Sequence, residues 1–162
     1  MPAKPDFGAM QCSIARSLDI VGESWSLLVL RDILQGSRRF DELQSSLGIA
    51  SNVLTARLKR LTDEGLLEQR RYQKHPPRYE YLPTQMARDV MPVLLLLIQW
   101  GNTYLAGRKD APQAIVHNAC GHEMTPRLVC SHCGEPIGKQ GVSIVPPAKV
   151  KTLTAALGAS TP

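Results

Sequence analysis

The sequence predicts a mainly α-helical fold with a small β wing, a winged helix-turn-helix, and three observations carry that reading. Apolar residues recur at helical spacing in short blocks divided by glycines. Two of those blocks are joined by only three residues, Gly48-Ile49-Ala50. Directly after them, two runs containing tyrosines flank a proline loop, as strands of a hairpin would.

Each element follows in order. Ile14, Leu18 and Val21 define a short first helix from Ser13, interrupted at Gly22. Trp25, Leu28, Val29, Asp32 and Ile33 define a second, closed by Gly36. Phe40, Leu43 and Leu47 bury one side of a third, which Gly48 stops. Ser51 is the expected N-cap of a fourth, because its hydroxyl can accept from the free first-turn N–H groups. Leu54, Leu58 and Leu61 are that helix's buried stripe, and Gly65 ends it. Residues 66–73 and 78–82 suit strands around Lys74-His75-Pro76-Pro77. Pro83, without an N–H, is expected to end strand pairing early. Thr84 is expected to cap one long helix bearing Val90, Val93, Leu94, Leu97 and Trp100, an apolar face wider than one core contact requires.

A chain of 162 residues supports one core of ordinary size and a small satellite. Its 43% apolar and 20% charged content is that of a globular protein, and the net charge of +5 favours an anionic partner. The start Met-Pro-Ala-Lys-Pro-Asp lacks the apolar core of a signal peptide, and the longest apolar stretch, Val93 to Ile98, is too short to span a bilayer. A cytoplasmic location is expected.

On the fourth helix the leucine stripe leaves Asn52, Ala56 and Lys59 on the opposite side, with Thr55 and Arg60 flanking them and Ser51 at the start. Such a face suits a major groove: asparagine matches the donor and acceptor pattern of adenine, and lysine reaches guanine acceptors or a phosphate. A solvated polar face would look the same taken alone. The other basic groups decide between them. Arg38 and Arg39 precede the third helix, Arg57 and Arg60 line the fourth, and Arg70, Arg71, Lys74 and Arg78 cluster on the wing, so separated segments can straddle one groove.

With these residues in view the chain resembles the HxlR family of winged helix-turn-helix regulators, relatives of the MarR-type repressors. The resemblance runs from about Cys12 to Gly101. It rests on Leu18-Asp19-Ile20-Val21-Gly22, Trp25, Gly36-Ser37-Arg38-Arg39-Phe40-Asp41-Glu42-Leu43, Leu54-Thr55-Ala56-Arg57-Leu58-Lys59, Gly65-Leu66-Leu67-Glu68, Pro76-Pro77-Arg78-Tyr79-Glu80-Tyr81 and Trp100-Gly101. It implies a homodimer joined through terminal helices, the reading helix in the major groove of double-stranded DNA and the wing on the backbone. It also implies a redox or small-molecule effector, with Cys12 as candidate redox sensor; the plainer reading of Cys12 is a small buried residue at the dimer interface. Two departures stand out: Leu82-Pro83-Thr84 and Ala87 where the family has Leu-Thr and a later Gly, and Gly22-Glu23-Ser24 where it has Gly-Gly-Lys, which removes that lysine's phosphate contact.

Four cysteines remain to be placed. His117-Asn118-Ala119-Cys120-Gly121 and Cys130-Ser131-His132-Cys133-Gly134 have one form: a ligand type, two residues, a cysteine, a glycine. Two intervening residues let one turn aim both side chains at a common centre, and the glycine tolerates the backbone that turn needs. A structural zinc site from His117, Cys120, Cys130 and Cys133 is expected, with His122 or His132 open as replacements for His117. The competing readings are a thioredoxin-type redox pair, for which no βαβ setting exists here, and a labile disulfide or free thiols. The expected organisation is residues 1–11 as an arm, 12–108 as the winged DNA-binding and dimerisation domain, 115–137 as a zinc-ribbon-like knuckle segment and 138–162 as a flexible tail.

The sequence holds no nucleophile, base and orienter set, no Gly-rich phosphate loop and no paired carboxylates in a pocket motif, so an enzyme is not expected. The alternative to a transcriptional regulator is a zinc-dependent protein interaction module that keeps a winged-helix core.

Overall fold

Leucine spacing decides where the helices lie. The computed structural model describes residues 10–105, 112–138, 141–150 and 152, so most of the arm and the end of the tail lie outside the described residues. Four helices come first: α1 (Ser13–Val21), α2 (Ser26–Leu34), α3 (Phe40–Leu47) and α4 (Ser51–Asp63). Val29, Leu30 and Ile33 of α2 meet Leu43 of α3 and Leu54, Leu58 and Leu61 of α4, all at most 1% exposed. Removing such side chains from water is the main term holding the domain together, at about 1.5–3 kcal/mol for each. Ile49, in the turn between α3 and α4, is buried with them.

The wing follows as an antiparallel pair, β1 (Leu67–Gln73) and β2 (Arg78–Pro83). Leu66 and Leu67 enter the core and anchor its base, while the residues beyond them turn outward. Pairing does not stop short of Pro83 as expected. Pro83 is the partner of Leu67, and the neighbouring Thr84 N–H donates to Leu66 O at 3.0 Å, so the end of the ladder needs no donor from the proline.

Beyond the wing the expected single long helix is two. Thr84 caps α5 (Gln85–Arg88), accepting from the Ala87 N–H, and α6 (Met91–Tyr104) starts afresh. Pro92 is the reason, since it offers no N–H to continue the α5 ladder but fits the first turn of a new helix. A second correction concerns α4, whose N-cap is Ala50 with no side-chain cap bond. Ser51 is already helical, and its hydroxyl accepts from Gln44 Nε2 at 2.6 Å. No helix among the described residues is long and apolar enough to cross a membrane.

The chain divides into two units, Met1–Met124 and Thr125–Pro162. The first contains the winged domain and a short hairpin closed by an isolated bridge between Val116 and Glu123. The second contains, among the described residues, a like hairpin, bridged between Val129 and Pro136, and a 3₁₀ turn at Pro147–Lys149.

Candidate nucleic-acid interface

The turn between α3 and α4 is braced from both sides. Gly48 takes a left-handed conformation (φ 61°) that ends α3, and Gln44 reaches across the turn to Ser51 Oγ and, at 3.4 Å, to Ile49 O. Behind it, buried Asp32 of α2 accepts from Ser46 Oγ of α3 and from Arg31 Nε, each at 2.7 Å. A carboxylate removed from water needs such partners, and here they lock α3 against α2. Asp32 lies at a buried position in the sequence pattern, which is the signal that marks it.

With α4 pinned by its leucines, Ser51, Asn52, Thr55, Ala56 and Lys59 face outward and are exposed. Thr55 Oγ1 donates back to Ser51 O at 2.8 Å, and Lys59 Nζ lies 2.6 Å from Asp63. That exposed pair is a weak tie, of a size that a phosphate or base edge can replace.

The structure does not bring all the candidate arginines to this face. Arg57 is half-buried in an ion pair with Glu23, one residue before the position where the family has its lysine. Arg60 turns to Asp19 of α1 at 3.4 Å and to Glu64 at 3.1 Å. Both lie on the flank of α4 toward α1 and the loop after it, neutralised by acids.

Arg38 and Arg39 do join the wing, through a link that spacing along the chain does not show. Tyr81 N–H donates to Arg38 O at 2.8 Å, Arg39 bridges to Glu80, and the Arg39 guanidinium stacks 4.7 Å from the centre of the Tyr72 ring. The stretch before α3 thus meets the wing through a single-residue bridge and one further backbone bond. Glu42 closes it at the other end by accepting from the backbone N–H of Arg39 at 3.0 Å and of Arg38 at 2.9 Å. Those two bonds, Arg39's foremost, hold the Glu42 carboxyl below its ordinary value.

Along the wing Arg70 pairs with Glu80 at 2.7 Å, while Arg71, Lys74 and Arg78 are exposed and, among the described residues, make no ion pair. Two concavities flank this ladder. One, of about 400 Å³, lies between the start of α3 and the wing and is lined by Phe40, Tyr72, Arg78, Tyr79 and Tyr81. The other, of about 340 Å³, lies between α4 and the wing, with Thr55, Lys59, Gln69 and Tyr81 on its walls. Each carries one basic and one acidic residue, Arg78 with Asp41 in the first and Lys59 with Asp63 in the second.

Elsewhere the same domain exposes apolar side chains. Ile14 and Leu18 of α1 and Val93, Leu97, Trp100 and Tyr104 of α6 are 45–71% exposed. Cys12 is the N-cap residue of α1 and is half-buried.

The remaining cysteines lie in the hairpins. His117 Nδ1 stands 3.3 Å from Cys120 Sγ. Cys130 receives the backbone N–H of Cys133 and of His132 and a side-chain bond with Cys133, which together keep its thiol below the ordinary value. Each is a pair: among the described residues no three His, Cys, Asp or Glu side chains are grouped to hold a metal ion.

Comparison with known proteins agrees with the sequence resemblance. A family model described as HxlR-like helix-turn-helix matches residues 20–109. The chain is 40% identical over 134 residues to an HTH-type transcriptional regulator of Mycobacterium tuberculosis H37Rv, covering 83% of this chain and 85% of that protein. It is similar to the crystal structure of PA1607, a proposed transcription factor, with TM-score 0.75 and 30% identity over 85% of this chain and 96% of that one. The redox regulator HypR in its oxidised form is similar over 57% of this chain and 96% of its own, with TM-score 0.52 and 28% identity. The family match runs through α2 to α6, wing included, and the chain belongs to the HxlR-like helix-turn-helix family of transcriptional regulators.

Proposed function

We propose that the protein is a sequence-specific regulator that binds double-stranded DNA as a homodimer, with α4 in the major groove and the wing on the phosphate backbone. The observation that carries this reading is the division of α4. Three leucines at most 1% exposed hold one side against α2, and the opposite side presents Asn52, Thr55, Ala56 and Lys59 without obstruction. Asn52 and Lys59 are then the base-reading groups, with Arg38, Arg39, Lys74 and Arg78 as backbone contacts. Arg57 and Arg60 support α4 through Glu23, Asp19 and Glu64. The apolar faces of α1 and α6 supply the self-complementary surface that a two-fold dimer needs.

Selection of bound sequences from random duplexes, with footprinting of the winners, tests it. Two protected half-sites about 10–10.5 base pairs apart, or a multiple of that, on a near-palindrome are expected. A monomer in sedimentation with a single asymmetric footprint would overturn it.

The relation to HypR and the position of Cys12 at the start of α1 support a redox-responsive form of the same regulator. Oxidant treatment should then weaken or strengthen operator binding in the wild type and leave Cys12→Ser unchanged; equal responses of the two proteins would reject it.

A further inference from the structure

Helix α6 carries two apolar stripes side by side. Val93, Leu97, Trp100 and Tyr104 are exposed and serve the proposed dimer surface. Leu94, Ile98 and Gly101, one residue further along at each step, instead line a cavity of about 500 Å³ against Leu27, Leu28 and Arg31 of α2, all within the winged unit. Leu97 stands at the border of the two. Helices packed for stability alone leave few voids larger than a water, whereas this volume is that of a small-molecule site, about 300–1,000 Å³.

Gly101 helps to keep the space open. It sits inside α6, where glycine weakens a helix, yet no neighbouring element calls for it: a Cβ added there would meet nothing within 4 Å. The polar groups on the walls are few. Asn102 Nδ2 is already engaged, donating to Gln113 O at 2.7 Å. The half-buried Arg31 guanidinium is only partly engaged: Asp32 Oδ1 accepts from Nε and from Nη2, each at 2.7 Å, and Nη1 has no partner among the described residues.

We infer that this cavity binds a small apolar molecule with one anionic group, its body between α2 and α6 and its anion on Arg31, and that binding lowers affinity for DNA. The second half rests on the reading of the protein as a duplex-binding regulator. The link between the two sites is a chain of hydrogen bonds. Asp32 holds Arg31 by Oδ1 and Ser46 of α3 by Oδ2, and Gln44 of α3 holds Ser51 at the start of α4. An anion on Arg31 competes with Asp32 for the same guanidinium. A buried carboxylate with fewer donors destabilises the arrangement that locks α3 against α2. The ligand therefore opposes the state in which α4 is braced, and by linkage duplex opposes the ligand by the same factor.

The test uses the full-length protein and two fluorescent probes of one skeleton, anilinonaphthalene sulfonate and the uncharged phenylnaphthylamine. Both should bind at one site per chain. Gly101→Leu, which fills the cavity and favours the helix, should weaken both at least tenfold without lowering the unfolding temperature. Arg31→Met should weaken the sulfonate at least tenfold and leave phenylnaphthylamine within twofold. Saturating sulfonate should weaken binding of the duplex selected from random sequences by about fivefold or more, and Ser46→Ala should keep sulfonate binding and lose that effect. Equal binding by wild type and Gly101→Leu would overturn the site, as would probe binding that disappears when the protein is concentrated into dimers, which would assign the cavity to a second copy. Equal losses of both probes in Arg31→Met would overturn the anionic class. Sulfonate bound without change in duplex affinity would overturn the coupling alone. A protein that binds the probes and no duplex would overturn the regulator reading and leave the site standing.

Discussion

The winged domain and the two hairpins are held together by different physics. In the first, Leu30, Leu43, Leu54 and Leu61 are 0% exposed, and each helix is fixed by what it buries. In the second, no described side chain is buried, Val116 and Leu128 are 52% exposed and Val129 51%, and the order present is that of backbone hydrogen bonds around a glycine turn. A pair of strands with no apolar face is marginal in water by itself. One region is therefore specified by the period of its apolar residues, the other by backbone turns that close at a left-handed glycine.

The most damaging way to probe that difference is a cavity in the core. Leu58→Ala should cost about 2–5 kcal/mol in denaturant unfolding of the winged domain, and the loss should be the same with and without a chelator. A chelator-dependent loss would mean that the two regions are energetically one.

The complementary experiment removes the Cys130 and Cys133 thiols. Cys130→Ser with Cys133→Ser should speed hydrogen exchange in the turn at residues 130–134, where Cys130 receives the backbone N–H of Cys133 and of His132. The unfolding free energy of the winged domain should move by no more than about 0.5 kcal/mol, as for changes that touch no core. Retained DNA binding in that mutant would sharpen the division; its loss would place the hairpins in the regulatory surface.

Within the winged domain, α4 and the wing should part in the same manner. Asn52→Ala and Lys59→Ala should each cost about 1–3 kcal/mol on the preferred duplex and much less on random sequence. Lys74→Ala and Arg78→Ala should weaken all duplexes alike and reduce the salt slope by about one each. Arg57→Ala, already neutralised by Glu23, should alter stability more than sequence preference. Identical profiles for helix and wing variants would undo these roles.

The smallest effect expected is at the start of α3. Because Glu42's carboxyl is held below its ordinary value, its contribution is complete above the unfolded value of about 4.3 and fades as the pH falls through the lower folded value. Glu42→Gln should speed exchange of the first-turn amides of α3 at neutral pH and flatten that acid dependence. An unchanged acid profile would assign the dependence to another carboxylate.

Much of this was legible along the chain. Leu54, Leu58 and Leu61 define a stripe, and a stripe defines its opposite face, so Asn52 and Lys59 follow from period alone. The arginines were not legible in that way. A long charged side chain bends toward whichever acid is near, and Glu23, Asp19 and Glu64 are brought near Arg57 and Arg60 by the packing of α4 on the elements before it. Likewise Tyr72 and Arg39 lie far apart in sequence and meet only because the stretch before α3 pairs with β2.

The sequence by itself thus determined the helices, the turn between α3 and α4, the wing and the paired knuckle motifs, because each depends on local spacing, a glycine or a repeated ligand pattern. Only the tertiary structure decided that Pro92 splits the last helix, that Ala50 and not Ser51 caps α4, and which basic side chains stay outward. Those depend on which backbone groups and charges from separate segments come within hydrogen-bonding distance, and that is a property of packing, which no periodicity along one segment encodes.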